Sequence, residues 1–542
     1  MKLNKILYMI VTGMALVSLS GCDKYLDIMP DNRTEINSQE NVQALLVSAY
    51  PSTDYMLLTE FMADNVDDFG PSNPYYDRFI EQVYNWEDVT ESDNEDPESL
   101  WEASYGAIAA ANLAIQAIER MGGAEATGMQ AEMAEALLCR AYNHFILVNM
   151  FCKNYNTLTS DSDLGIPYSL EPETTLDPKY ERGTVAQVYD LIKKDIEAAL
   201  PHVSDSYYTV PKYHFNKKAA YAFATRFYLF HEEWQNAVDC ADEVLGSEPA
   251  SMLRDWQYVS TMPQQEQPVV EHYIDATLNC NLLLMTAYSK MGLAWRNYYV
   301  YARYSHSNFL AQNEDAIALA ALWGGDNTTY YSGIKNYSGT NMNRAIFWKL
   351  PYLFEYTDPV AGIGYYRTVY PAFTADETLL SRAEAKILLR DYDGACDDMN
   401  LWVSNVARNP KPLTTDSIQT FFNDHADPAD PSKTITVSYT TWDVSTVKKH
   451  LNPAFSIGKE EELQECMLQA LLGLKRIDAL GLGLRWFDVK RYGIEIAHRQ
   501  VNTAGRPITL LDVLTVDDDR RAMQLPRKVR DAGMEPNPRN NK

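Results

Sequence analysis

The chain is poor in the features that announce a reaction. Nine histidines are scattered through 542 residues without a His-Glu-x-x-His. His231-Glu232-Glu233 has no second ligand at i+4, so the metal helix of a zincin is missing. No Gly-x-Ser-x-Gly elbow occurs, and Gly481-Leu482-Gly483 lacks the third glycine and the flanking strand of a dinucleotide loop, so it reads as a turn. Seven cysteines include no Cys-x-x-Cys, which gives neither a zinc site nor a dense disulfide framework. Cys139, Cys240, Cys396 and Cys466 lie inside apolar helical patterns, where a thiol behaves as a small hydrophobe, so buried free thiols are expected. Positive charge is scarce too: Lys and Arg number 47 against 74 Asp and Glu, a formal net charge of −27. Such a field repels phosphate backbones and anionic surfaces, which makes nucleic acid a poor partner and leaves a neutral ligand unaffected. Asp161-Ser162-Asp163 and Asp517-Asp518-Asp519 lack the spacing of a calcium loop and read as solvated turns. A glycosidase needs two carboxylates about 5 to 9 Å apart in space, which no spacing along the chain specifies.

What is present begins at the amino terminus. Lys2 and Lys5 precede an apolar run over residues 6–17, and Leu19-Ser20-Gly21 leads into Cys22. A basic start, a short apolar core and small residues before a cleavage point make a secretory signal; the core is too short for a spanning helix, which needs about 20 apolar residues. Leu-Ser-Gly-Cys resembles the lipobox of bacterial lipoproteins, so residues 1–21 are expected to be removed and Cys22 to carry lipid. The alternative is an ordinary signal peptide with a chance cysteine.

Helical periodicity starts near Asn41, where Val42, Leu45, Leu46 and Ala49 recur at helical spacing. It stops between residues 64 and 97, a stretch that mixes carboxylates with Phe69, Tyr75, Tyr76, Phe79, Tyr84 and Trp86 and reads as a structured loop. Residues 101–121 and 129–151 form a helical hairpin, followed by helices over 185–200, 216–230, 234–245, 377–389 and 392–406. At Trp234-Gln235-Asn236-Ala237 and Tyr392-Asp393-Gly394-Ala395 an aromatic wedges the turn and a small alanine lets two helices approach. That is similar to tetratricopeptide packing, in which helix pairs stack because none buries its apolar face alone. Residues 246–373 differ in texture, being rich in Tyr, Trp, Asn, Ser, Thr and Gly; long irregular segments of this kind are usually functional. Residues 409–431 read as an insertion loop.

Aromatic supply is the distinctive feature, with 36 Tyr and 10 Trp. Sugar rings present apolar C–H faces that Trp and Tyr cover, while amides and carboxylates take the hydroxyls. Several motifs stand in order along the chain. They are Cys22-Asp23 with Tyr25-Leu26-Asp27 and Pro30; Trp101-x-x-x-Tyr105 leading to Asn112; Ala134-Glu135-Ala136 with Arg140-Ala141-Tyr142; and Asp195-Ile196-Glu197-Ala198-Ala199-Leu200-Pro201. Further on come Arg382-Ala383-Glu384-Ala385, the block from Gly483 to Arg491, Leu525-Pro526 and Asn537-Pro538. In order and spacing they resemble the RagB/SusD family of outer-membrane nutrient-binding lipoproteins. Within the block, Arg485 and Asp488, and Asp488 and Arg491, stand at i,i+3 and are expected to form a charge ladder, with Trp486 and Phe487 anchoring that helix in the core.

The resemblance implies a mainly α fold containing four tetratricopeptide-like helix pairs and long ligand-binding loops. Residues 22–542 then form one SusD-like domain, with a helical framework at about 41–246 and 375–408, a ligand region at about 247–374 and a family block at about 455–540. It also implies no enzymatic activity, no cofactor, a lipid anchor on the outer-membrane surface, and a SusC-like TonB-dependent barrel as partner, to which oligosaccharide, or in some members peptide, is delivered. A glycoside hydrolase is the remaining alternative. Asp23 after the lipidated cysteine would signal inner-membrane retention in enterobacteria; the resemblance favours the outer membrane. By the same resemblance the ligand site comes from residues 64–86 and 295–331. Tyr75, Tyr76, Trp86, Trp295, Tyr299 and Trp323 are the expected stacking platforms, and Asp67, Asn73 and Arg296 the expected hydroxyl partners. Trp101, Trp234 and Tyr392 are expected to be structural.

Overall fold

Where apolar residues recur at helical spacing, the chain is helical. The computed structural model describes residues 36–173, 179–295, 303–326, 329–331, 335–337, 343–427 and 430–539. Its principal helices are α1 (Gln39–Leu46), α2 (Met56–Met62), α3 (Arg78–Tyr84), α4 (Pro97–Arg120), α5 (Gln130–Phe151), α6 (Val185–Ala199), α7 (Lys217–Phe230), α8 (Trp234–Leu245), α9 (Ala375–Leu388), α10 (Tyr392–Val406), α11 (Leu463–Ala479) and α12 (Arg485–Arg491). Their starts are set by side chains that satisfy the free N–H groups of the first turn. Asp96 accepts from Ser99 N at 2.6 Å, with Pro97 opening α4, and Thr184 and Gln187 form a reciprocal capping box on α6. Asn216 and Thr374 cap α7 and α9. No helix among the described residues is long and apolar enough to cross a membrane.

Four helix pairs, α1/α4, α5/α6, α7/α8 and α9/α10, stack in series, with α4 on α5, α7 against α5, and α8 on α9. Ala237 and Ala395 are fully buried at the two junctions, the close approach that their size permits. Buried polar contacts then join the pairs. Arg140 on α5 makes a bidentate bond to Asp195 on α6, both arms at 2.7 Å, and its Nη1 donates to Asn112 of α4 at 3.0 Å. Three of the family motifs thus meet in one cluster. Arg382 of α9 holds Asp398 of α10 at 2.6 and 3.0 Å and Asp242 of α8 at 2.7 Å.

The carboxy-terminal block locks onto this stack. Trp486 and Phe487 are buried, as expected, and Asp488 lies 3.6 Å from Arg491. The other half of the expected ladder is different: Arg485 turns away from Asp488 to make a bidentate pair with Asp64 at 2.8 and 2.9 Å, while Asp488 is met by Lys475 at 2.7 Å. Glu384 of α9 receives Arg491, Lys475 and the Tyr492 hydroxyl. Burial alone would raise its pKa, yet the Arg491 and Lys475 charges more than offset this and hold it at about 2. Gly481-Leu482-Gly483 is the tight turn between α11 and α12, its two glycine N–H groups donating to Glu60 at 3.1 and 2.9 Å. Gly483 has φ +73, and a Cβ there would meet Thr59 Oγ1 at 2.2 Å, so only glycine fits. Asn537 ties the tail to α5 by donating to the Phe151 carbonyl at 2.7 Å.

Strands are β1 (Asp67–Asp68), β2 (Asn281–Tyr288), β3 (Tyr304–Ser305), β4 (Leu353–Asp358), β5 (Ile363–Thr374), β6 (Ile496–Val501) and β7 (Pro507–Leu514). They build a four-stranded sheet in the order β7-β6-β1-β3 and a three-stranded antiparallel sheet in the order β2-β5-β4. Three stretches expected to be irregular are therefore ordered. Residues 247–374 hold the second sheet, whose strand β2 contains the apolar run Leu282-Leu283-Leu284-Met285, which periodicity cannot tell from buried helix. Residues 64–97 contain α3, capped by Asp77, and 409–431 begin a helix, Thr415–Asn423, that runs into a hairpin. The six described cysteines are buried and free.

Candidate functional site

The loop after α2 is organised by β1. Its two residues pair antiparallel with β3 and, through Asp68, parallel with β6. Successive side chains of a strand point to opposite faces, so the two carboxylates part. Asp67 turns inward to Arg499 at 3.0 Å and Ser307 at 2.6 Å, and burial raises its pKa even against the Arg499 charge. Asp68 receives the fork of Arg303 at 2.8 and 3.0 Å.

Arg303 also grips the loop by its backbone. Phe69 N donates to the Arg303 carbonyl at 2.7 Å, and Arg303 N donates to the Tyr75 carbonyl at 3.0 Å. Between these clamps Gly70, at φ +86, allows the turn, while Asn73 is buried and accepts from Tyr75 N at 3.0 Å. Two phenols stand on this base: Tyr75 is 45% exposed and Tyr76 51%. The Arg303 guanidinium lies 5.5 Å from the Tyr76 ring centroid and reaches Glu81 of α3 at 3.2 Å, so loop, strand and helix share one cation. Arg303 belongs to the stretch 295–331 and Asp68, Phe69 and Tyr75 to 64–86, so described parts of the two stretches expected to form the ligand surface meet here. The result is a rigid, outward-facing aromatic step with carboxylate and guanidinium groups beneath it, suited to stacking on an apolar ring face while polar groups orient the ligand.

The tryptophans lie elsewhere. Trp86 is 4% exposed, its indole N–H donates to the Met62 carbonyl at 2.9 Å, and its face lies on His498 at 3.8 Å and 9°. His498 continues the stack onto Tyr84 at 4.0 Å, and burial pushes its pKa down to about 4. Trp86 also holds φ +53, a left-handed backbone that a bulky residue adopts only when surrounding contacts enforce it. Trp295 packs edge-on against Phe347 and over Gly481, and Trp323 is 1% exposed against Tyr330. In this structure these three indoles line the core and present no open face. Arg296 and Tyr299 lie outside the described residues, as does Cys22. Trp101 is buried against Tyr105 and Phe151, whereas Trp234 is half-buried on Phe455.

Sequence reading passed over a second aromatic surface, the β4–β5 hairpin. Tyr352, Phe354, Tyr356 and Tyr366 form a ladder with centroids 4.8 to 5.2 Å apart. Tyr356 is 58% exposed and Val360 at the tip 99%. Its signal was legible: alternating apolar and polar residues around Asp358-Pro359-Val360-Ala361-Gly362, a hairpin pattern.

Carboxylates with raised pKa values are the natural candidates for acid catalysis, and Asp54 with Glu95 is such a pair. Burial pushes Asp54 up to about 7 and raises Glu95 strongly, the Asp54 charge adding to the latter. Glu95 is sealed beneath Ser289 and Lys290, whose O–H and N–H donate to it at 2.5 and 2.6 Å, so no glycosidic bond can reach it. Among the described residues no group of three or more His, Cys, Asp or Glu side chains is placed to hold a metal.

Solved structures of the same fold cover nearly the whole chain. A SusD superfamily protein from Bacteroides thetaiotaomicron VPI-5482 is 19% identical, with 92% of this chain and 99% of that one aligned at a TM-score of 0.61. A SusD-like carbohydrate binding protein from Bacteroides vulgatus ATCC 8482 is 13% identical over 91% and 96% of the two chains, at 0.58. A laminarin binding SusD-like protein is 16% identical over 93% and 99%, at 0.52. These define the class as the SusD-like helical fold. Residues 24–229 in addition match the SusD-like family model described as starch-binding associating with outer membrane. The chain is thus SusD-like in sequence over that span and SusD-like in fold over its length. No curated protein matches it significantly.

Proposed function

We propose that the protein is a non-catalytic, lipid-anchored binding protein of the outer-membrane surface that captures oligosaccharide and passes it to a SusC-like TonB-dependent barrel. The Tyr75–Tyr76 step carries the reading: two exposed phenols side by side on a loop clamped by the Arg303–Asp68 pair, in a chain whose amino-terminal part matches a starch-binding family. The lipobox-like Leu19 to Cys22 supports the anchor, and the fold supports the barrel partner. Exposed aromatics on a rigid base stack on sugar faces at little entropic cost, whereas a net charge of −27 disfavours acidic glycans. The test is a glycan panel, with oligopeptides as a control arm, against wild type and the Tyr75→Ala and Tyr76→Ala variants. A neutral oligosaccharide is expected to bind, each variant losing about 1 to 3 kcal/mol of affinity with an unchanged melting curve. Binding at wild-type strength in both variants would move the site elsewhere, and turnover of any glycan would refute the non-catalytic reading.

A further inference from the structure

On the inner side of β1, opposite the tyrosine step, lies a cavity of about 270 Å³ lined by Asp64, Asp67, Glu314, Lys449, Arg499 and, at its mouth, Trp442. Such a volume equals that of about nine waters at ~30 Å³ each, near the space taken by one pyranose ring with its hydroxyls. Buried charge is set into a wall that also carries Val66, Leu310, Ile496 and Val513. Lys449 holds Glu314 at 2.6 Å; Arg499 bridges Glu314 and Asp67, each at 3.0 Å; Arg485 and Arg476 stand behind Asp64. With Asp315, 3.9 Å from Arg476, these groups set four carboxylates against four cations, and Glu495 adds a further carboxylate to the lining, so the cavity has no positive surplus with which to attract an anion. It does have unused hydrogen-bonding capacity. Each ionised carboxylate offers about four lone-pair sites; Asp67 spends two on the contacts named and Glu314 three, the third taken by Arg476 Nη1 at 3.5 Å.

Trp442 completes the arrangement. Its carbonyl accepts from Arg499 Nη1 at 3.2 Å, which fixes the backbone to the cavity wall, and the residue is 37% exposed. Thr440 and Thr441 line the same mouth. We infer that this cavity is a second binding site, one that receives a single neutral pyranose unit, stacked on Trp442 with its hydroxyls directed at Asp67, Glu314 and Lys449. The choice of a sugar among neutral polyols rests on the glycan-binding reading; the size, the charge balance and the aromatic mouth do not.

The experiment titrates the full chain with the methyl glycosides of glucose, galactose and mannose, with methyl glucuronide as the charged counterpart. Saturation-transfer NMR and calorimetry report binding. At least one neutral glycoside is expected to bind, more tightly than the glucuronide. Trp442→Ala weakens it about tenfold or more, and Ala497→Leu, which fills the cavity wall, abolishes it. Preference for the glucuronide, no binding by any neutral glycoside, or wild-type affinity in Trp442→Ala, a surface change that leaves folding intact, would overturn the assignment. If oligosaccharides ignore Tyr75 and Tyr76 while Trp442→Ala still weakens the glycoside, the tyrosine step falls and the cavity stands.

Discussion

Replacing Arg303 by Met isolates what holds the tyrosine step in place. The substitution keeps an unbranched apolar stem and the backbone bonds to Phe69 and Tyr75, but removes the two bonds to Asp68 at 2.8 and 3.0 Å and the 3.2 Å contact with Glu81. The Arg303 side chain is 12% exposed and that of Asp68 4%, which places the pair between a surface ion pair, worth ~0 to 1 kcal/mol, and a fully buried one, whose rupture costs ~3 to 5 kcal/mol. A local cost of about 2 to 3 kcal/mol follows. Because Asp68 belongs to β1 and Glu81 to α3, that loss falls on the opening of residues 68–77 rather than on the helical stack. Amide exchange in that segment should accelerate by about 30- to 150-fold, at 1.4 kcal/mol per decade, with α4 to α10 unchanged. Arg303→Lys, which retains the charge without the planar fork, should fall between wild type and Met. Glycan affinity should drop in the same order, since a mobile platform must be ordered on binding. Unaltered exchange at 68–77 in Arg303→Met, or acceleration spread evenly over the helices, would refute the idea that this cation organises the loop.

Further expectations concern the framework and the anchor. Arg140→Met strands a buried Asp195 and should cost about 3 to 5 kcal/mol in urea unfolding, while the double change with Asp195→Leu should cost clearly less than the sum of the single changes; strict additivity would show that the pair is not coupled. Asp54 has a folded-state pKa of about 7 against ~3.9 unfolded, so the native state holds the proton more tightly. Its contribution to stability is greatest in acid and falls as pH rises from about 4 to 7, by up to ~4 kcal/mol. Asp54→Asn should therefore flatten the pH profile and improve relative to wild type between pH 4 and pH 8; parallel profiles would contradict the burial argument. Cys22→Ser should abolish membrane partition in detergent phase separation, and a variant that stays membrane-bound and processed would remove the lipid anchor from the reading.

Helices were readable from sequence because their signal is local. Spacing of apolar residues and the alanines at the two helix junctions placed the ends of α4 to α10 within a few residues. The burial of Trp486 and Phe487 followed from the same periodicity. Partners across the chain were another matter. Arg140, Asn112 and Asp195 were each visible as motif residues, yet that they meet depends on three helices stacking in one order. Arg485 pairs with Asp64, more than four hundred residues away, and leaves its neighbour Asp488 to Lys475 and Arg491, because only the tertiary fold brings these groups together. Aromatic side chains carry the least local information of all: Trp and Tyr serve core and surface with the same chemistry, so composition marked the aromatic-rich stretches without telling Tyr76, half exposed, from Trp86 and Trp323, enclosed. The sequence by itself determined the helical class, the charge that disfavours nucleic acid, and the stretches rich in aromatics. Tertiary structure alone decided which rings face water, because exposure is a property of what packs against a residue and not of the residue.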